Sequence, residues 1–403
     1  MNRATTIALV LAVVLAGMLG FETSAHGDPL TLRADALATT QSPAGLVMLE
    51  TDSKLSSTVS AEAVVWTAAS PLPGEHAGDV LVIALRARTA DGRASTQLGR
   101  FVAILGATRP LQIDGAAGRV QLPHAFYTEA YAGIPVLAGL GTGRAWDWAV
   151  GARIARKLGD YGSVGLAMME QRDDGRLATE EVGADAGVAF GKRDDVAVKL
   201  AYDLANPAVA DAEVTARHVH DRSLRFDLYA GYRAASHLLP ATSLFTVLGD
   251  IPAERGGARV TWKAAPRLEI SADAGVRYVE DDLAPALSAH ARLALDDTSR
   301  SALTGEIRRD GASDDAWTGL SGAARIALPY ALFVSTELEL VIPDSDRTPG
   351  GRYRGRAWPW ALAALGWDFS AWHAAAALEA SSSPESRARI DALLQLGRTW
   401  SGP

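Results

Sequence analysis

The sequence predicts an all-β chain that crosses a membrane as an antiparallel up-and-down β-barrel, and three observations carry that prediction. Apolar and polar residues alternate along most of the 403-residue chain. Hydrophobic residues make up 48% of it, yet no apolar run beyond the N-terminal segment approaches the ~20 residues that a spanning helix needs. Turn signals separate the alternating segments. Because successive side chains of a strand point to opposite faces, one face can contact lipid while the other contacts water.

The stretch from Leu332 to Ile342 shows this alternation most clearly. Its even-numbered residues are apolar or threonine, whereas its odd-numbered residues include Ser335, Glu337 and Glu339. A strand of this composition has one apolar and one charged face. It is typical of a barrel strand that separates lipid from an aqueous interior.

The N-terminal segment has the pattern of a secretory signal peptide. Arg3 gives a basic start, an apolar stretch runs over residues 7–21, and the small residues 23–25 follow. We therefore expect a signal peptide over residues 1–25 and a β-barrel over residues 26–403. The alternative is a single N-terminal membrane anchor, for which the apolar stretch is short.

Composition and motifs exclude several classes of function. The net charge of −8 argues against a nucleic-acid partner, which needs a concentrated basic face. The chain contains no cysteine, and it has no Walker A loop, no HExxH and no G-x-S-x-G motif. His218 and His220 share the apolar parity of Val214, so we expect a position at the membrane rim rather than a metal site. The glycine-rich run at Gly139 is expected to be a turn. We expect no enzyme activity, no cofactor and no bound metal.

Strands are expected from residue 30 onward, with clearer alternation in the second half of the chain. The Asp91-Gly92 pair predicts a tight turn, and further turn signals begin at Asp173, Lys192, Arg309 and Thr348. The stretch 111–136 alternates less clearly and is expected to hold two or three strands. Counting these segments gives about 16 to 20 strands, and we expect about 18 because bacterial barrels favour even numbers. A barrel of that size leaves an aqueous lumen.

Two features near the strand ends fit a membrane barrel. Aromatic residues are candidates for interfacial girdles; they are Trp262, Tyr278, Trp358, Trp360, Trp367 and Trp372. The last strand carries Ile390 and Leu394 on the parity of Trp400, and it resembles the C-terminal insertion signal of outer-membrane barrels. Arg398 departs from that pattern. The resemblance implies the barrel-assembly machinery as a partner.

The segment from Ala234 to Arg255 lacks clean alternation and contains Pro240 and Pro252. It is expected to be a long surface loop with one strand inside it. The alternative is a loop, or a short helix, that folds into the lumen as a constriction, since long loops in compact folds are often functional.

The charged faces of the strands provide the candidate functional residues. Charges of both signs would point into the lumen and suit a hydrated polar passenger. Charged walls of this kind tune the selectivity of a pore. These residues are Lys199, Asp203, Arg225, Asp227, Tyr229, Lys263, Arg267, Glu269, Asp273, Arg277, His290, Arg292, Glu306, Arg308, Glu337 and Glu339. The alternative for individual members is that opposite charges pair across strands and simply solvate the wall.

Several sequence segments resemble those of a known family of outer-membrane barrels. LQIDGA, YAGIPV and SLFTVLGDIPAERGGARVTWKAAPRLEI resemble the myxobacterial outer-membrane barrels of polysaccharide-export systems, which are similar to the barrel domains that secrete alginate and poly-N-acetylglucosamine. The resemblance implies a barrel in outer-membrane lipid that passes a hydrated polysaccharide delivered by a periplasmic export protein. The alternatives are a general diffusion porin for small polar solutes, a barrel enzyme and a soluble exported β-protein.

Overall fold

A computed structural model describes residues 30–39, 45–69, 76–136, 147–234, 253–279, 282–311, 316–344, 357–382 and 388–401. Three features expected from the sequence lie outside these ranges: the signal peptide, the glycine-rich run at Gly139 and the turn signal at Thr348. Most of the segment from Ala234 to Arg255 also lies outside them. Its last three residues begin a strand.

The described residues form 22 strands. In chain order they are β1 Leu30–Thr39, β2 Gly45–Lys54, β3 Val59–Ala69, β4 His76–Arg88, β5 Ala94–Ala103, β6 Leu111–Gln121, β7 Phe126–Pro135, β8 Trp148–Lys157, β9 Gly162–Asp173, β10 Arg176–Phe190, β11 Asp194–Asp203, β12 Ala208–Val219, β13 Leu224–Arg233, β14 Ala253–Ala265, β15 Leu268–Val279, β16 Asp282–Ala294, β17 Ala302–Asp310, β18 Trp317–Ala327, β19 Leu332–Pro343, β20 Trp358–Phe369, β21 Trp372–Ser381 and β22 Arg389–Ser401. A single 3₁₀ turn, Gly159–Tyr161, precedes β9. Among the described residues, no helix is long and apolar enough to span a bilayer.

All 22 strands belong to one antiparallel sheet in which each strand pairs with its neighbours in sequence. The first strand also pairs with the last: Leu32 lies opposite Trp400 and Ala38 lies opposite Leu394. Every described strand therefore has two hydrogen-bonded neighbours. This arrangement satisfies the backbone polar groups without leaving an open sheet edge, as a membrane barrel requires.

The strand number corrects the sequence-based expectation of 18. The strands that the sequence did not predict lie mainly where the alternation of apolar and polar residues is weak, as in β8 and β9. The inward-facing residues of β9 include Ala167 and Met169, which are apolar and buried. Both faces of such a strand are apolar, so its sequence lacks the contrast that identifies a strand.

The two ends of the sheet differ in the length of their connections. One end carries the turns that follow the even-numbered strands, from β2–β3 to β20–β21. Its connections are short, such as the two residues between β14 and β15. We call it the turn end, and we call the opposite end the loop end. The Asp91-Gly92 and Lys192 signals fall between strands as predicted, and Asp173 is the last residue of β9, directly before the β9–β10 turn. Arg309 itself lies within β17, which ends at Asp310.

Contacts between non-neighbouring strands identify the inner face, because such side chains meet only on the concave side of a closed sheet. Tyr229 on β13 donates its hydroxyl proton to Asp273 on β15 at 2.6 Å. On the other parity, large apolar side chains are exposed; Leu338 and Leu378 are each 62% exposed. The outer face is apolar and the inner face is polar over most of the sheet.

The aromatic candidates divide between the two faces. Trp262, Tyr278 and Trp367 are exposed on the outer parity. Trp358 and Trp360 were expected in a girdle, but they lie on the inner face at the loop end. There they line a cavity together with Glu337 and other residues, and the Trp360 indole N–H donates to Glu379 at 2.9 Å. The prediction failed because β20 carries apolar residues on both parities.

Arg398 has a physical explanation on the outer parity of β22. Its guanidinium carbon lies 4.8 Å from the centroid of the Trp372 ring. Trp372 is the first residue of β21, so the pair lies beside the turn end. An arginine at this height keeps its charge near the membrane interface while its stem covers apolar surface.

Candidate functional site: the inner wall and an inward-folded hairpin

Strand register places all but one of the predicted lumen residues on the inner face, since directly opposite residues share a face. Lys263 lies opposite Glu269, which lies opposite Arg292. His290 lies opposite Glu306 on the next strand.

Arg267 is the exception, because it lies in the turn between β14 and β15. It pairs with Asp297 in the β16–β17 turn at 2.5 Å. Asp203 is on the inner face but caps a turn, since its Oδ1 accepts the N–H groups of Ala205 and Asn206. The sequence prediction of a lumen position was wrong for Arg267 because β15 begins at Leu268, one residue later than the alternation indicates.

Most inner-wall charges have partners of opposite sign. Lys199 contacts Asp211 at 2.8 Å and Glu213 at 3.0 Å. Arg308 contacts Glu339 at 2.5 Å. Asp227 accepts hydrogen bonds from Arg225 at 2.8 Å and from Arg217 at 3.1 Å. Arg259 binds Asp273 at 2.9 Å, and Arg277 pairs with Asp310. The wall is therefore a ladder of solvated ion pairs rather than a row of single charges.

One cavity on this wall is rich in arginine. It has a volume of about 580 Å³ and is lined by residues of β11 to β17. Its lining includes seven arginines and five carboxylates. Each of these arginines contacts a carboxylate, and three of the carboxylates, Glu213, Glu339 and Asp344, lie outside the lining. This part of the wall is therefore dense in guanidinium groups that already have carboxylate partners.

A second feature is the tip of the β5–β6 hairpin, residues 104–110, which leaves the wall and folds into the lumen. The departure coincides with a row of glycines in register, Gly99 opposite Gly115 and Gly115 opposite Gly133. Gly99 has a φ of +120°, which side-chain-bearing residues rarely adopt. A β-carbon at Gly115 would overlap the carbonyl oxygen of Ala132. The bare backbone at this row permits the hairpin to bend inward.

The hairpin packs against strands that are not its neighbours in the sheet. Phe101 and Leu105 belong to a buried cluster with Tyr131, Ala149 and Met169 from β7, β8 and β9. Further along, Ala107 packs with Ala201 of β11 and Ala210 of β12. In the sheet itself, β5 pairs with β4 and β6. Contacts with β8 to β12 therefore require the tip to cross the inner surface as a second layer.

A buried ion pair fixes the far end of the tip. The Arg109 Nε–H donates to Glu181 Oε1 at 2.7 Å, and the Arg109 backbone N–H donates to Glu181 Oε2 at 3.0 Å. Glu181 is completely buried, and Arg109 is 5% exposed. Removing one partner of such a pair leaves an uncompensated charge and costs about 3–5 kcal/mol.

A second network lies beside the tip on the wall. Arg153 binds Asp185 through Nε at 3.0 Å and Nη2 at 2.6 Å, which is a two-point contact. The same guanidinium donates to Glu129 at 2.7 Å and to the Tyr127 hydroxyl at 2.9 Å. Gly106 of the tip lies against Asp185 and Arg153. The network thus forms part of the floor on which the tip rests.

Beneath the tip, a cavity of about 770 Å³ extends to the turn end. Its lining includes Ser56, Thr58 and Arg88 near the turns, and Val102 and Ile104 of the hairpin. Val102 is 52% exposed and Ile104 is 65% exposed. These two side chains give the cavity an exposed apolar lining on the hairpin.

Sequence reasoning missed the tip and both of its ion networks. The candidate residues came from clean alternation, and the tip abolishes that alternation in the strands it covers. One signal was available: the connection 104–110 reads ILGATRP, which is mostly apolar where a polar surface loop is expected. An apolar connection containing a single arginine indicates a buried segment with a charged partner.

Several aspartates in the turns have low pKa values for local reasons. The Thr298 hydroxyl, together with the Ser301 and Arg300 groups, lowers the pKa of Asp296. Hydrogen bonds from Thr89 and Arg93 lower the pKa of Asp91, and those from Ser223 and Leu224 lower that of Asp221. Each carboxylate caps its own turn at the turn end, so these groups stabilise turns rather than form a catalytic site.

Comparison with solved structures shows where this fold occurs. The ferric enterobactin receptor PfeA of Pseudomonas aeruginosa is similar with a TM-score of 0.61 and 7% identity, over 94% of this chain and 82% of that one. The siderophore receptor PirA of the same organism gives 0.58 and 8%, over 94% and 82%. The ferric-catecholate import receptor Fiu of E. coli K12 gives 0.57 and 8%, over 93% and 82%.

The likeness shows that this chain has an outer-membrane β-barrel fold. No family model matches the chain, and no curated protein matches it. Barrels of 22 strands occur among outer-membrane transporters whose lumen holds a plug. In the part of the chain that the structure describes, the segment that enters the lumen is the β5–β6 tip.

Proposed function

We propose that this chain forms an outer-membrane passage through which a polysaccharide is secreted, and that a periplasmic export protein delivers the polymer. The observation that carries the proposal is the inner wall. Its ion pairs and hydroxyl groups extend over many strands and suit a hydrated passenger. The sequence resemblance to polysaccharide-export barrels supports the same class of passenger. The proposal assigns the chain no catalytic step, cofactor or metal.

The arrangement of the connections supports an orientation. Bacterial outer-membrane barrels have short periplasmic turns and longer extracellular loops. On that basis the turn end faces the periplasm and would receive the polymer. The seven arginines of the cavity along β11 to β17 favour an anionic polymer, because guanidinium groups bind carboxylate and phosphate groups in two-point contacts and such a polymer can exchange with their carboxylate partners.

A general diffusion porin for small polar solutes is the second candidate. The β5–β6 tip favours it, because a segment folded into the lumen narrows the path to the size of small solutes. The two candidates differ in what a cell loses without the protein. A polysaccharide passage is needed for surface polymer, whereas a porin is needed for solute uptake.

The test is a clean deletion of the gene, scored for surface polysaccharide by dye binding and for cell-associated polymer after fractionation. We expect the deletion to lose surface polymer and the wild-type gene to restore it. An Arg259→Glu/Arg308→Glu variant should restore less, because it reverses the charge of the inner wall. Arg300→Glu, in the β16–β17 turn, is the matched control and should restore fully. Normal surface polymer in the deletion strain, together with slower uptake of small solutes, would replace the export proposal with the porin.

A further inference from the structure

We propose that the β5–β6 tip, residues 104–110, is a releasable constriction of the passage that the Arg109–Glu181 ion pair holds closed. The inference concerns regulation of the passage proposed above and rests on that proposal. A hairpin that belongs to the wall between β4 and β7 reaches the inner surface of β8 to β12. A segment in that position occupies lumen space that the wall alone would leave open.

The charged pair is suited to a reversible closure. Burial of Arg109 and Glu181 removes both groups from water, and this desolvation offsets most of their mutual attraction. In the released state both groups would lie in an aqueous lumen and regain hydration. The closed and released states therefore differ by a small free energy, which is the condition for a two-state element.

The packing around the far end of the tip points the same way. Ala107 meets Ala201 and Ala210, and an ideal β-carbon at Gly183 lies 3.2 Å from the Ala107 β-carbon. These are small side chains with little surface for dispersion contacts. Beyond Leu105, the tip therefore depends on the ion pair more than on interlocking side chains, and the glycine row at Gly99 provides the bend on which it turns.

The approach to the tip is from the turn end. The cavity of about 770 Å³ begins among the β2–β3 turn residues and ends at Val102 and Ile104. A passenger that enters from this side meets the underside of the hairpin first. Contact of the passenger with the hairpin would act on residues 104–110, the segment that the Arg109–Glu181 ion pair holds in place.

The experiment is single-channel conductance of the purified full-length barrel in a planar lipid bilayer. Glu181→Gln leaves Arg109 buried without its counter-charge, so we expect conductance to rise by roughly twofold or more as the path widens. Glu170→Gln is the matched control. It breaks a 2.7 Å pair with Arg172 on the outer face of β9 and should leave conductance unchanged.

A covalent lock tests the same claim in the opposite direction. The chain contains no cysteine, so Ala107→Cys/Gly183→Cys introduces one defined pair. The separation of 3.2 Å must widen by about 0.6 Å to reach the β-carbon spacing of about 3.8 Å found in disulfides. In the Glu181→Gln background, we expect oxidation to restore wild-type conductance and reduction to raise it again. Ala107→Cys alone should not respond to reductant.

A third variant guards against misfolding of Glu181→Gln. Ala103 lies directly opposite Leu111, so an Asn-Gly pair in place of residues 104–110 joins them by a two-residue hairpin turn. This variant should conduct more than wild type. Folding of each variant is checked by heat-modifiable mobility. Wild-type conductance in folded Glu181→Gln and Asn-Gly variants would overturn the inference. Raised conductance in both, with normal surface polymer in the deletion strain, would keep the constriction and reject polysaccharide export.

Discussion

At the scale of single residues, inner-face aromatic rings compensate for glycines on neighbouring strands. Phe333 is buried over Gly366, with the Arg325 guanidinium 3.8 Å above the ring centre and His373 stacked at 6.3 Å. Tyr131 covers Gly151 in the same way, with a ring carbon 2.6 Å from an ideal β-carbon there. A glycine that an aromatic ring of the neighbouring strand covers is a packed position, although the residues around it in the sequence do not indicate this.

Gly366→Ala tests this packing. A β-carbon there would overlap the Phe333 ring, so the ring must move and we expect a loss of about 1–3 kcal/mol in the free energy of unfolding. Gly187→Ala is the matched control, because its β-carbon would meet nothing within 4 Å. That substitution should be neutral or stabilising by about 0.5 kcal/mol. Urea unfolding in lipid vesicles measures both, and equal effects would reject the packing role of Gly366.

Asp296 gives a prediction about pH at the same scale. Its pKa is lowered in the folded protein chiefly by the Thr298 hydroxyl, and further by the Ser301 side chain and the backbone N–H groups of Arg300 and Ser301. A lowered pKa stabilises the fold above the unfolded value of about 3.9 and stops doing so as pH falls through the folded value. Asp296→Ala should therefore lose stability by a constant amount at pH 5–8 and by less below about pH 4.

Asp297→Ala is the comparison for that series. Asp297 lies in the same turn, and its side chain is 89% exposed beside Arg267. An exposed pair contributes about 0–1 kcal/mol, so this variant should remain close to wild type at every pH. An Asp296→Ala difference that persists unchanged at pH 3 would contradict the assigned cause.

At the scale of elements, strands were predictable where water covers one face and lipid the other. In β15 the even-numbered residues Ile270, Ala274 and Val276 alternate with charged residues, and the strand lies where the sequence predicts it. In β8 and β9 a second layer of protein replaces water, so the inner residues become small or apolar and the period-two signal fades. The charged wall of the second half was therefore predictable. For the tip of the first half, the apolar connection 104–110 indicates burial, but the surface that it covers depends on contacts with strands distant in the sequence.

Strand β19 tests the assignment of faces. Leu338→Arg puts a charge on the exposed apolar side at mid-strand, where a lipid-facing arginine costs about 2–4 kcal/mol. Ser335→Arg puts the same side chain on the inner face of the same strand and should change the free energy of unfolding by less than about 1 kcal/mol. Unfolding of the two variants in vesicles measures the difference. Equal costs would contradict the orientation of the strand.

At the scale of the whole molecule, the pairing of β1 with β22 joins the two ends of the described chain into one closed sheet. The class of fold follows from alternation alone, because every spanning strand must present an apolar face to lipid. Strand number does not follow from it, since Ala- and Gly-rich strands give weak contrast, and the 22 strands exceed the 18 expected. A closed sheet of this size has room inside for both a charged wall and a hairpin layer.

One face of this sheet contacts lipid and the other contacts water, and cysteine scanning of β15 distinguishes the two faces. The chain has no cysteine of its own, so each single substitution is labelled alone. The measurement is reaction of a membrane-impermeant maleimide with the barrel in vesicles. We predict rapid labelling at positions 269, 271 and 273 and protection at positions 270, 272 and 274. Uniform labelling along the strand, or protection of the odd-numbered positions, would contradict the account.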